Sequence, residues 1–186
     1  GARMEWTYEM RRQMQEILPS IFLGPYGAAK DLEALQGKGV THVLIVRSTL
    51  ERRLDPKYPT LFKYHIVEVP EGPTENLILY FTECNKCIQQ AIAENGKILV
   101  HCNAGLSRSA AVVCAYVMES LRMPYTEAIQ HVQCRRCCIH ISEALLNQLR
   151  EFEAIYQNRQ AAPHREGWDG RKRQHDVDAD ESMLLE

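Results

Sequence analysis

The chain has 186 residues, a formal net charge of −2 and 45% hydrophobic residues, enough for one domain with a buried core and charged tails. That charge balance offers no broad basic surface for nucleic acid, and no apolar run reaches the length of a membrane span. Seven cysteines, an odd number, suit a reducing interior better than a disulfide framework, so a cytoplasmic or nuclear setting is expected.

In chain order, the charged opening from Met4 to Arg12 lacks the apolar stretch of a signal peptide. Residues 21–24 predict a short strand, 28–35 a short helix, and 40–46 a buried strand. Residues 63–69 alternate well enough for a third strand. Leu77, Ile78, Phe81, Cys84, Ile88, Ala91 and Ile92 form one apolar stripe, which predicts a helix over about 75–94. The turn signal Asn95-Gly96 precedes a short apolar strand at 97–100. Helices are expected at 108–121, 126–134 and 143–158, the last with Leu145, Leu149, Phe152 and Tyr156 on its inner face. The fold class is α/β with a central, mostly parallel sheet flanked by helices. After Gln157 the composition turns to Pro, His, Arg, Gly and Asp. Residues 17–157 are therefore read as the folded domain and 158–186 as a disordered charged tail. Arg171-Lys172-Arg173 in that tail reads as a solvated charge run or a nuclear address.

The stretch His101-Cys102-Asn103-Ala104-Gly105-Leu106-Ser107-Arg108-Ser109 lies between the strand at 97–100 and the nearly all-apolar helix that follows. A loop between a strand and a helix N-terminus presents backbone N–H groups and the positive end of a helix dipole, so it binds anions. Gly105 allows the chain to turn, and Arg108 offers a planar fork that matches two phosphate oxygens. The same field favours the thiolate of Cys102, with the Ser109 hydroxyl placed to donate to the sulfur. Cys102, Arg108 and Ser109 are thus candidates for nucleophilic chemistry. Asn103, Ala104, Gly105, Leu106 and Ser107 complete the phosphate-binding loop, and His101 supports it.

Two cysteine pairs, Cys84 with Cys87 and Cys134 with Cys137, have metal-like spacing. The first pair belongs to the apolar stripe of a helix, and the gap between the pairs exceeds that of compact zinc modules. They are read as core, with no metal site.

These residues resemble the dual-specificity protein phosphatases, whose loop is H-C-x-x-G-x-x-R-S. The resemblance extends over roughly residues 17–157 and includes residues 17–24, 39–44 and 148–153. Within the family, Glu5-Trp6-Thr7-Tyr8, Gly24-Pro25-Tyr26, Asn103-Ala104-Gly105 and Glu153-Ala154-Ile155-Tyr156 resemble a pseudophosphatase branch that has glycine at the nucleophile position. Here that position is Cys102. Two departures stand out. The family's general acid, an aspartate about thirty residues before the cysteine, is replaced by Glu71 in Val69-Pro70-Glu71-Gly72-Pro73, one methylene longer. The Pro-Asn pair that braces the loop is replaced by Ile141-Ser142, which removes one brace.

The resemblance implies two-step hydrolysis through a phosphocysteine, with Cys102 as nucleophile, Arg108 and the loop N–H groups on the phosphate oxygens, and Glu71 as acid and then base. Neither cofactor nor metal is called for. The loop adds no lysine for extra phosphates, so phosphotyrosine and phosphoserine or phosphothreonine in proteins are the expected substrates. Activity is expected to be reduced by the longer acid. The alternative is a weakly active or inactive module that binds phosphoproteins or their kinases. Nucleic acid and membranes are not expected partners.

Overall fold

The computed structural model describes residues 5–71 and 76–161. Five strands, β1 (Gln15–Leu18), β2 (Ile21–Gly24), β3 (His42–Ser48), β4 (Lys63–Val69) and β5 (Ile98–His101), form one sheet in the order β1-β2-β5-β3-β4. β1 runs antiparallel to β2, and the remaining pairs are parallel. The helices are α1 (Tyr26–Ala29), α2 (Leu32–Gly37), α3 (Ile78–Ala93), α4 (Arg108–Leu121), α5 (Tyr125–Arg135) and α6 (Glu143–Ala161).

The central strands read as unbroken apolar runs because both faces of the sheet are covered. Phe22, Val43, Ile45 and Leu99 point into one core with Leu35, Leu54 and Phe62. Their neighbours Ile21, Leu23, Leu44, Val46, Ile98 and Val100 point into the larger core built with α3, α4, α5 and α6. The period-2 alternation of a strand divides one apolar run between two cores. Every residue of α4 from Ser109 to Met118 is buried, as expected for a helix packed on all sides. β5 is the middle strand, so the loop between β5 and α4 is anchored at both ends in the interior.

Three expectations need correction. The helix expected at 28–35 is two short helices, because Asp31 leaves the helical conformation and its Oδ1 accepts the Ala34 N–H at 3.0 Å, capping α2. β1 was not expected as a strand of its own, since Gln15 and Glu16 break the apolar pattern. It pairs as a hairpin arm through a tight turn with Ser20 at φ 72°. The expected domain start at residue 17 therefore falls inside β1, and a 3-10 turn at Tyr8–Arg12 precedes it. α6 continues to Ala161, past the expected end at 158, and the remainder of the expected tail lies outside the described residues. No helix among the described residues is long and apolar enough to cross a membrane.

Cys84 is fully buried in the larger core, where burial, followed by the charge of Glu83, pushes its thiol up to about 12. It packs as a small apolar side chain. The core reading fails for the second pair, because Cys134 and Cys137 are exposed at the end of α5, and no cluster among the described residues has three groups able to hold a metal ion.

α6 is held by an aromatic row. Phe152 meets Phe81 edge-on with ring centroids 5.3 Å apart and Tyr156 at 5.7 Å, and is 2% exposed. Phe152→Ala should lower the unfolding free energy in urea by about 3–5 kcal/mol, the usual cost of an aromatic-sized cavity. A loss below about 1 kcal/mol would mean that α6 repacks freely.

Candidate active site

The loop that follows β5 is shaped by what its carbonyls bind. Tyr26 N–H donates to Asn103 O at 2.8 Å, His140 N–H to Leu106 O at 2.7 Å, and Ala111 N–H to Ser107 O at 2.9 Å. Arg136 donates from Nη2 to Ala104 O at 3.1 Å and from Nε to Gly105 O at 2.9 Å. All five carbonyls from Asn103 to Ser107 are therefore engaged by other parts of the chain. In a planar trans peptide the N–H points opposite to the carbonyl of the preceding residue. Holding five carbonyls outward turns the following N–H groups toward the bowl, which is the arrangement an anion requires.

Gly105 makes the tight path possible. Its φ is 68°, and a Cβ there would lie 2.4 Å from Gly24 O, so both the conformation and the space exclude a side chain. The bowl opens into a cavity of about 410 Å³ lined by Cys102, Asn103, Ala104, Leu106, Ser107 and Arg108, with Glu51, His140 and Ser142 on its rim. Cys102 Sγ and Ser109 Oγ are 3.0 Å apart, and both residues are buried. Arg108 is the first residue of α4, which aligns the helix dipole with the bowl.

His101 ends β5, stacks on the Tyr26 ring with centroids 5.8 Å apart, and donates from Nδ1 to its neighbour's carbonyl, Cys102 O, at 2.8 Å. Burial pulls its pKa down to about 4, against a smaller upward pull from that hydrogen bond, so the ring is neutral at pH 7.

The structure adds residues that had not been singled out. Glu51, after β3, pairs with Arg108 Nη1 and accepts the Ser48 N–H at 2.9 Å. Burial raises the pKa of Glu51, but the Ser48 N–H and the Arg108 charge together outweigh it, leaving the carboxyl below its ordinary value. Glu71, expected as the acid, lies two residues beyond β4, and its Oε1 accepts from Ser48 Oγ at 3.0 Å. It is not among the residues lining the bowl. Ser48 thus links both carboxylates, and through Glu51 it reaches Arg108. No pattern marked Glu51 within the mixed run Leu50-Glu51-Arg52-Arg53.

Arg136 was also overlooked, because in Cys134-Arg135-Arg136-Cys137 the cysteines carried the recognisable spacing. A basic residue closing a helix reads as a partner of the helix dipole. Instead it is fully buried, and burial pulls its pKa below the ordinary guanidinium value. Besides the two loop carbonyls, its N–H groups meet Gln13 O at 2.9 Å, Gln15 Oε1 at 2.6 Å and Arg11 O at 3.0 Å. With Met10 O at 3.5 Å as the sixth acceptor, all five donors of this buried guanidinium are engaged. With the His140 N–H, it supplies bracing where Ile141-Ser142 replaces the expected Pro-Asn pair. Ser142 itself caps α6, its Oγ accepting the Leu145 N–H at 3.3 Å.

Arg136→Met should leave these oxygens unpaired and lower the unfolding free energy by about 3–5 kcal/mol. It should also weaken binding of vanadate to the loop, with Arg136→Lys only partly restoring both. Full stability in Arg136→Met would show that the brace lies elsewhere. A second expectation concerns pH. The folded pKa of His101 is below that of the unfolded chain, near 6.5, so its contribution is complete above pH 6.5 and is lost as pH falls toward 4. The loss is about 3 kcal/mol, and His101→Asn should flatten the stability profile over that window. An unaltered profile would contradict a buried neutral imidazole.

With this geometry in view, the family model of the dual specificity phosphatase catalytic domain matches residues 21–155. The human serine/threonine/tyrosine-interacting protein is 46% identical over 155 residues, covering 82% of this chain and 70% of the relative. Dual specificity protein phosphatase 1B of Arabidopsis thaliana is 35% identical over 156 residues, covering 84% and 91%. The crystal structure of the human tyrosine phosphatase-like serine/threonine/tyrosine-interacting protein superposes with a TM-score of 0.75 at 44% identity, covering 78% of this chain and 99% of that one. Loop, flanking core and overall similarity agree, and the chain belongs to the dual-specificity phosphatase family.

Proposed function

We propose that the chain is a Cys-dependent protein phosphatase acting on phosphotyrosine and on phosphoserine or phosphothreonine, in a reducing compartment such as the cytoplasm or nucleus. The observation that supports this most strongly is Cys102 Sγ, 3.0 Å from Ser109 Oγ, in a bowl whose five carbonyls face away. The Cys102 thiolate attacks phosphorus in line, the S–P bond forms as the P–O bond of the ester breaks, and Glu71 gives its proton to the leaving oxygen. Arg108 and the loop N–H groups hold the equatorial oxygens. Water then attacks the phosphocysteine, Glu71 takes its proton, and the S–P bond breaks to return a thiolate stabilised by the Ser109 hydroxyl.

Glu71 accepts from Ser48 Oγ through Oε1 and does not line the bowl, so to act as the acid it must carry its other carboxyl oxygen to the leaving group. Keeping or breaking the Ser48 contact changes the balance by about 1 kcal/mol, the net worth of one neutral-donor hydrogen bond. The same contact favours a second reading, a phosphoprotein-binding module with little turnover, as does the resemblance to the pseudophosphatase branch. The decisive assay is phosphate release from an aryl phosphate. Cys102→Ser should abolish release while retaining phosphate binding, and release unchanged in that variant would overturn the mechanism. Glu71→Gln should slow esters with poor leaving groups at least tenfold more than esters with good ones, because only the former need the proton. Equal, small effects on both would leave Glu71 as a partner of Ser48 and favour the binding module.

A further inference from the structure

Beside the catalytic bowl lies a second cleft, of about 400 Å³. Tyr8, Arg11 and Arg12 form one wall, Pro25 lies opposite, and Ala104 and Leu106 line both this cleft and the bowl. Two residues of the phosphate loop are therefore the ridge between the two cavities.

The wall is a five-residue 3-10 turn, Tyr8–Arg12, with no buried residue of its own. Hydrophobic burial does not hold it there. Arg136 does, donating to Arg11 O at 3.0 Å and to Met10 O at 3.5 Å while it also binds Ala104 O and Gly105 O. Gln15 helps, its Nε2 donating to Met10 O at 2.7 Å while its Oε1 accepts from Arg136 Nη1 at 2.6 Å, so Arg136 and Gln15 together tie the turn to the phosphate loop. The cationic side chains on the turn are ordered against an aromatic ring: Arg11 Cζ is 5.4 Å and Arg12 Cζ 5.9 Å from the Tyr8 centroid. The nearby acidic group is Glu9, 3.8 Å from Arg12 with both side chains more than 70% exposed, a weak pair that solvent screens. Across the bowl, Arg53 donates to Asn103 Oδ1 at 3.3 Å. A chain with a net charge of −2 therefore surrounds this one loop with arginines.

We infer that this cleft is a second anion subsite, which takes an acidic or phosphorylated residue of the phosphoprotein whose scissile phosphate occupies the bowl. It rests on the reading of the bowl as a phosphoprotein site and adds a preference to it. The two guanidinium forks accept carboxylate or phosphate oxygens, and phosphate, with three oxygens and more charge, is held more tightly. Tyr8 offers a flat apolar face to the substrate backbone between the two anions.

The test uses the full chain carrying Cys102→Ser, so that binding is read without turnover. Fluorescence anisotropy compares phosphotyrosine peptides whose second anion, either glutamate or phosphoserine, stands at successive positions on each side, against the same peptides with alanine there. At the best position phosphoserine should tighten binding about tenfold over alanine, with glutamate intermediate, and the gap should shrink with salt. Adding Arg11→Ala and Arg12→Ala should reduce the gap to within twofold, and Lys at both positions should restore part of it. Thermal unfolding of each variant checks that the turn's loss has not unfolded the chain. Equal binding of all peptides, or a gap that survives the double substitution, overturns the subsite. Failure of every peptide to bind overturns it too, and aryl phosphate turnover by the unsubstituted chain then tells whether the catalytic reading has fallen with it.

Discussion

The capture of five successive carbonyls outside the bowl is the constraint on which the rest of this structure depends. An anion-binding loop needs its N–H groups to converge, and converging N–H groups leave carbonyls that must be satisfied elsewhere. Here they are satisfied by the start of α1, by the end of α5, by the segment before α6 and by the first turn of α4. Three segments distant in sequence, together with the adjoining first turn of α4, are thereby assembled around five residues. The central position of β5 and the all-round burial of α4 follow from the same need, since a loop with this curvature must be fixed at both ends.

The electrostatics are layered on that frame. Arg136, with every N–H partnered, is a structural cation, and its distance from solvent means that each oxygen it binds is held firmly. Arg108 lines the bowl, paired with Glu51, whose carboxylate is in turn anchored by the Ser48 N–H. A phosphate entering the bowl meets an arginine that is already oriented. His101, beside Cys102, stays neutral and adds no charge of its own, because burial disfavours the protonated ring more than one carbonyl stabilises it.

How much of this was legible in the sequence depended on range. The strands expected at 40–46, 63–69 and 97–100 and the helices expected at 108–121 and 143–158 lie within two or three residues of the observed elements, since periodic burial marks the body of an element better than its ends. Cys102, Gly105 and Arg108 were legible because a phosphate loop is local, its parts lying within a few residues of one another. β1 was hidden, because an edge strand carries polar residues and takes its register from its partner. Glu51 and Arg136 were hidden for a different reason. Their partners lie 57 and 31 residues away, and no short-range pattern distinguishes a buried, fully bonded arginine from an exposed one. The cleft beside Tyr8 follows from Arg136 and was equally invisible.

Binding a phosphate and cleaving it draw on different parts of this site. On the proposed reading, the bowl N–H groups and Arg108 hold the phosphate oxygens while Arg136 only braces the loop, and whatever part of that hold is equal in ground and transition states raises affinity without raising turnover. Turnover is decided by the two groups whose charge changes, the Cys102 sulfur and the carboxylate that exchanges a proton with the leaving oxygen. Loss of the first alone converts a phosphatase into a phosphoprotein reader with its loop intact. A longer acid held on a serine hydroxyl shifts the balance the same way by degree, since a displacement of about 1 Å at the reacting centre can cost a hundredfold in rate. The fold therefore admits a graded series from enzyme to binder, and on the proposed reading the position of this chain on it is set by whether the free carboxyl oxygen of Glu71 reaches the leaving group.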